Sequence, residues 1–290
     1  MFDLIIATLT QGLIYAVLAY GVFITYKILD FPDLTVDGSF PLGAAVTAVL
    51  ITKGVNPYLT LPIAMIAGAA AGFCTGFIHV KLKVRDLLAS IITMTALFSI
   101  NLQIGGSNLN IIGTDTIFTL APLGSMKLIY RKFLIVLIIA IIFKVLLDVY
   151  FKTKNGLILR GVGDNSNLVT TLAKDSGKIK ILGLVLANSL VALCGAIVCQ
   201  EQRSFNSTMG TGQIVFGLAA VIIGITIFKK LSFVKGTTAV IVGCVVYKAC
   251  VQVAILLGLP ANLLKFVMAM LFLGILVLGN FGKRKVNKNA

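Results

Sequence analysis

Apolar runs of about twenty residues follow one another along almost the whole chain, and this repetition narrows the possible folds more than any other feature. An α-helix rises about 1.5 Å per residue, so such a run crosses the roughly 30 Å hydrocarbon layer of a bilayer, whereas a helix on a soluble core needs only one apolar stripe. Leu4 to about Tyr26, Tyr58 to about Val80, Leu87 to about Ile104, Arg131 to Tyr150, Ile179 to about Gln200 and Gly236 to Leu257 read as spans. Ile214 to Phe228 is a shorter one, and Leu264 to Gly279 is the last. Composition agrees: 58% of residues are hydrophobic, only 12% are charged against about 25% in soluble domains, and mean hydropathy is +1.04. The expected fold class is all-α, a polytopic membrane helix bundle of about eight to ten transmembrane helices forming one domain over residues 1–290. Met1-Phe-Asp3 has no basic lead-in and the first run is longer than a signal-peptide core, so that run is expected to remain a span.

Between Lys27 and Lys53 the pattern breaks. From Phe40 to Ile51 there are only about a dozen apolar residues, too few for one membrane-crossing helix. A broken second helix resolves this, with Asp37-Gly38-Ser39-Phe40-Pro41 as the break: Gly permits unusual dihedrals, and Pro41 lacks an amide hydrogen and disfavours helix at Phe40. Irregular backbone at membrane depth persists only where protein covers it or a wet cavity meets it.

The longest polar interruption runs from Gly156 to Lys180. Asp164, Asn165, Ser166 and Asn167 are helix N-cap residues, and Leu168, Val169, Leu172 and Ala173 then place one apolar stripe on about two helical turns, which Gly177 can end. So short a helix is not stable alone, and it reads as a docking surface for another protein. Placing this loop in the cytoplasm puts 17 of the 25 Lys and Arg on the same side, including Lys81, Lys83, Arg85 and the tail from Lys283, as the positive-inside rule requires. The N-terminus is then outside and the C-terminus cytoplasmic. The formal charge of +15 thus follows membrane topology and gives no reason to expect nucleic acid as a partner; membrane lipid is the surrounding medium.

The polar residues within the spans are the candidates for function. Gln11 interrupts the first run, and Thr93, Thr95, Ser99 and Asn101 form a polar line down the fourth. Asp37 is the acid nearest the membrane interior, and it reads both as a helix cap and as a polar group on a substrate path, where half-helix ends supply polarity without a full charge. Gly68, Gly72 and Gly76 recur at fours and are expected to let helices approach closely. Lys144 and Asp148 stand at i, i+4 and can neutralise each other, while Lys248 is expected to snorkel. Asp30, Asp33 and Asp37 would share a helix face and invite a divalent cation of a membrane transferase, but such a site needs a second acidic cluster, and the other acids are solitary. His79 reads as an interfacial side chain. Cys74, Cys194, Cys199, Cys244 and Cys250 lack metal-site spacing and read as small buried hydrophobes. No phosphate-binding loop occurs, so no nucleotide site and no cofactor are expected in this chain. AGAAAGFCTGFI at Ala67 to Ile78 is faintly similar to ANSLVALCGAIV at Ala187 to Val198, as an internal duplication would be.

Several of these stretches, taken in order, resemble a known family. Arg160, Gly163-Asp164-Asn165, Leu172-Ala173 and the run from Lys180 to Asn188 are similar to the cytoplasmic loop and following helix of ABC-importer permease subunits of the branched-chain amino acid and ribose type. LDFPDLTVDGSFPLGAA resembles the broken second helix of that family, IITMTALFSIN its pathway-lining helix, and GQIVFGLAAVIIG a later span. One departure is Gly161-Val162, where the family often has Ala after the arginine. The resemblance implies that the loop is a coupling helix seated in a groove of an ATPase subunit, with Arg160, Asp164, Asn165, Leu168, Val169 and Leu172 as the contact residues. It implies a translocation pathway lined by Gln11, Thr35, Asp37, Ser39, Thr93, Thr95, Ser99 and Asn101. The implied partners are a second permease chain, most simply forming a homodimer, two ATP-binding subunits that carry ATP and Mg, and an extracytoplasmic substrate-binding protein. The implied location is the bacterial plasma membrane, and the implied cargo a small polar solute. DFPDLTVDGSF favours an amino acid, aromatic ones included, over a sugar or nucleoside. The competing class is an ion-coupled secondary transporter with Asp37 as its titrating group.

Overall fold

The computed structural model describes residues 2–121, 126–164, 175–229 and 234–258, with scattered positions between 263 and 277. In chain order these form α1 (Phe2–Val22), a π-helical turn (Phe23–Ile28), α2 (Val36–Thr52), α3 (Pro57–Val80), α4 (Asp86–Gly105), β1 (Asn108–Asn110), the single turn α5 (Ile117–Leu120) and α6 (Leu128–Tyr150). They continue with α7 (Lys154–Asp164), α8 (Ser176–Gln202), β2 (Ser204–Asn206), α9 (Gln213–Ile227) and α10 (Gly236–Leu256). Six of the described helices are long and apolar enough to cross a membrane: α1 with its π-turn, α3, α4, α6, α8 and α10. α2 and α9, with 17 and 15 residues, are shorter apolar helices. The span expected over Leu264 to Gly279 lies largely outside the described residues.

Local chemistry sets the helix starts. Asn56 accepts the Tyr58 amide at 3.0 Å, with Pro57 in the first position of α3, where its missing N–H costs nothing. Asp175 caps α8, accepting the amides of Gly177 at 3.0 Å and Lys178 at 3.2 Å, and these bonds, that of Lys178 foremost, hold its carboxyl below the ordinary aspartate range. Gly177 therefore belongs to the first turn of α8 and is not the C-cap of a preceding helix. The two short strands pair antiparallel with Leu109 opposite Phe205 and tie the exit of α4 to that of α8.

At the centre stands α8, the most enclosed of the six spans. Glycines bring three helices onto its backbone. A Cβ at Gly21 of α1 would overlap the carbonyl of Ala187, at Gly43 of α2 that of Ala192, and at Gly72 of α3 that of Leu184. In α3, Gly68 and Gly76 extend the contact to Asn188 and Ile181, so the ladder at fours is the seam along which α3 packs on α8. The two segments that look duplicated are thus packed against each other. Ile66 and Phe73 of α3, Ile141 and Leu146 of α6 and Val253 and Leu256 of α10 point outward, as a lipid solvent permits.

The break in the second span lies upstream of where the sequence places it. α2 continues unbroken through Gly38, Ser39, Phe40 and Pro41, and the irregular part is the π-turn followed by residues 29–35, with Asp30 at φ +52°. Pro41 has no N–H to offer the carbonyl of Asp37, and Gly210 backs directly onto that carbonyl and the proline ring. No helix face joins Asp30, Asp33 and Asp37, so the divalent-cation geometry does not exist; among the described residues no cluster of His, Cys, Asp or Glu could hold a metal.

Other expectations are also corrected. Arg160 lies within helix α7, where the sequence suggests loop; α7 buries Leu159 and Val162 and presses Gly163 onto the carbonyl of Ile28. Asn165, Leu168, Val169 and Leu172 lie outside the described residues, as does the side chain of Asp164. Lys248 does not snorkel: its Nζ sits 3.6 Å from the centre of the Tyr15 ring and 5.0 Å from that of Phe216. Of the five cysteines, Cys194, Cys199 and Cys244 are buried, but Cys74 and Cys250 are on the surface. His79 stands half-buried in the last turn of α3, in keeping with an interfacial side chain, with its Nδ1 bonded to the Val84 carbonyl at 2.9 Å and its ring against Phe31.

Candidate functional site

The first turn of α2 is where polar groups converge. Asp37 projects from it towards the start of α9, accepting the Gly212 amide on Oδ2 at 2.9 Å and the Ile214 amide on Oδ1 at 2.8 Å. Gly212 adopts φ +86°, a left-handed conformation that glycine takes without strain, and the chain there presents two amides to one carboxylate. Asp37 therefore caps a helix, but α9 and not its own. A negative charge at a helix N-terminus is also favoured by the helix dipole.

From α4, Asn101 donates Nδ2 to the carbonyl of Gly38 at 3.0 Å. The residue is fully buried, yet its Oδ1 has no hydrogen-bond partner among the described residues. An unmet acceptor at this depth is costly, and it favours any donor that enters beside it. Beside it is a cavity of about 280 Å³, lined by Asp37, Gly38, Pro41, Thr95, Asn101 and, from α4, the apolar Met94 and Phe98, and by Ser207 and Thr211 between β2 and α9. The size suits a small ligand.

The cavity gathers three of the eight residues expected on the pathway, Asp37, Thr95 and Asn101. The others separate. Thr93 is buried and bonds back to the carbonyl of Ala89, and Ser99 lies on the outer face of α4, so the polar line occupies two faces of that helix. Thr35 and Ser39 point away from the cavity into a buried network: Thr35 shares a 2.8 Å hydrogen bond with Thr75, and Ser39 donates to Asn188 at 2.6 Å. Asn188 in turn donates to Asp33 at 2.8 Å, and Asp33 accepts the Thr35 amide at 2.9 Å. Gln11 lines a different cavity, of about 330 Å³, near the Lys132–Glu201 ion pair at 2.7 Å. Sequence reasoning missed Asp33 and Asn188 as network partners, although each is a polar residue within a largely apolar stretch. Met94 and Phe98 carry no such signal, because an apolar cavity wall and a lipid-facing side chain read alike.

Six described spans, with α8 the most enclosed of them, and a small polar-and-apolar cleft let into their side form a multi-pass membrane helix bundle. Residues 4–276 match the family described as branched-chain amino acid transport system / permease component, and the chain belongs to that family. It is 42% identical over 290 residues to the tyrosine transport system permease protein of Clostridioides difficile, covering 99% of this chain and 95% of that one. It is 26% identical over 223 residues to a ribose import permease protein of Haemophilus influenzae, covering 77% of this chain and 68% of that one. In fold it is similar to PsaBC from Streptococcus pneumoniae in complex with Fab, with a TM-score of 0.53 at 13% identity, over 92% of this chain and 89% of the other.

Proposed function

We propose that the chain is the membrane-spanning subunit of an ATP-driven importer and passes a small amino acid with an aromatic ring, handed over by an external binding protein. Two copies, most simply identical, would frame the pathway, and two separate ATPase chains would press on the loop around residues 165–174 on the cytoplasmic side. The family and the tyrosine-transport relative support this reading. The observation that carries it is the cleft: the unmet Oδ1 of Asn101 is an acceptor for an ammonium group, and Phe98 and Met94 give a ring an apolar wall. Asp37 already accepts an amide on each oxygen, so it lends a negative edge without a bare charge. That arrangement favours a positioned, non-titrating role over the proton or sodium site of a secondary carrier.

The test is uptake of labelled tyrosine into proteoliposomes holding the permease, its ATPase and its binding protein. ATP-dependent uptake is expected, and Asn101→Leu should reduce it roughly tenfold with ATPase association unchanged, about the effect of one lost hydrogen bond to a charged group. Uptake driven by an ion gradient with the permease alone would refute the ATP-driven reading. A second expectation concerns the loop. Leu172→Asp should abolish co-purification of the ATPase while the permease still elutes as a folded species, and intact association would remove the loop from the contact.

A further inference from the structure

Where α6 runs into α7, a cavity of about 490 Å³ opens between these helices and the start of α10. Its floor is aromatic, formed by Phe23 and Phe151, and its rim carries Lys152, Arg160 and Lys235 against one carboxylate, Asp148. That carboxylate is already engaged. Lys144 and Lys235 place Nζ 3.1 and 3.0 Å from its Oδ2, and the Thr237 hydroxyl donates to Oδ1. Arg160 lays its guanidinium 4.9 Å from the centre of the Phe151 ring, a contact that engages the face of the group and not its N–H edge. Among the described residues neither Lys152 nor Arg160 has a carboxylate partner.

The depth of the cavity indicates the ligand. Asp148 and Phe151 stand at the end of one span, and Lys235 and Thr237 at the start of another, which is the level of lipid headgroups. Beside them Val145 and Val149 of α6 are 50% and 58% exposed, an apolar track leading away along the bilayer. We propose that this cavity holds the phosphodiester headgroup of an anionic phospholipid, with Lys152 and Arg160 on its phosphate oxygens and its acyl chains along the outer face of α6. Guanidinium geometry matches phosphate oxygens, and basic pockets between spans favour anionic over zwitterionic headgroups, whose own cation the rim repels. A free phosphate makes no use of the apolar track.

The experiment is native mass spectrometry of the full-length permease in detergent, titrated with phosphatidylglycerol, phosphatidylcholine or inorganic phosphate. Phosphatidylglycerol is expected to be retained in preference to the other two. Lys152→Gln/Arg160→Gln should weaken that retention by roughly fivefold per charge removed, while Lys53→Gln at the opposite end of the bundle leaves it unchanged. Should the double variant not elute as a folded species, Lys152→Gln alone carries the test. Equal retention by variant and parent, or equal occupancy by inorganic phosphate, would overturn the proposal. So would a result in which ATPase binding, and not lipid retention, depends on these two residues, because the cavity would then be a protein contact.

Discussion

Uptake by a permease carrying Asp37→Ala is expected to fall more than about tenfold, with a loss of about 2–4 kcal/mol in stability, because the amides of Gly212 and Ile214 would both lose their acceptor within a protein buried in lipid. Thermal unfolding in detergent and transport in proteoliposomes measure the two effects. Asp37→Asn separates the cap from a titrating role. An amide side chain keeps one acceptor oxygen, so it should hold one of the two backbone amides and restore a large part of both stability and uptake. A carrier that protonates Asp37 in each cycle would be as inactive with Asn as with Ala. Matching losses in the two variants would therefore contradict the cap.

The second large effect belongs to Gly195. On α8 it faces the carbonyl of Phe40 so closely that even a Cβ would overlap it, and the obstacle is backbone, which cannot rotate away. Gly195→Leu should force α2 off α8, at a cost of about 3 kcal/mol or more, and should leave little or no monodisperse protein after extraction. Among the described residues nothing lies within 4 Å of a Cβ placed at Gly274, so Gly274→Ala serves as the comparison that extracts normally. A well-folded Gly195→Leu protein would mean that the two helices do not meet there.

How much of this was legible beforehand depended on which physical signal a residue carries. Span existence follows from length and hydropathy, and α3, α4, α6, α8, α9 and α10 begin and end within a few residues of the apolar runs that announce them. The glycine ladder of α3 was legible as a packing seam because no other use of three glycines at fours competes with it. The break was not placed correctly because the chain offers the signal twice: Phe31-Pro32 and Phe40-Pro41 both disfavour helix at the residue before proline. The second proline is absorbed inside a helix, with Gly210 packed against the Asp37 carbonyl, and no local pattern announces that contact. The site was legible in its polar members and not in its direction. Asp37 was recognisable as a cap, but the helix it caps begins about 175 residues away, and no local pattern encodes such a pairing. Likewise Thr93 and Asn101 share one face of α4 with Leu97, while Thr95 and Ser99 do not, and which face meets α2 is settled by Leu97 packing on Gly38.

The seams of this bundle differ in stiffness. α2 and α3 each lie on α8 main chain to main chain, and neither can slide without driving atoms through one another. Across the cleft α4 meets α2 mainly through side chains: Leu97 packs on Gly38 and Leu42 beside the Cα of Met94, and Asn101 adds one amide bond. Rotamers yield where carbonyls do not, so the aperture for a passing solute is expected to widen by tilting of α4 against a stationary slab. Amide hydrogens of α4 should then exchange with deuterium sooner than those of α8, even with the transporter at rest.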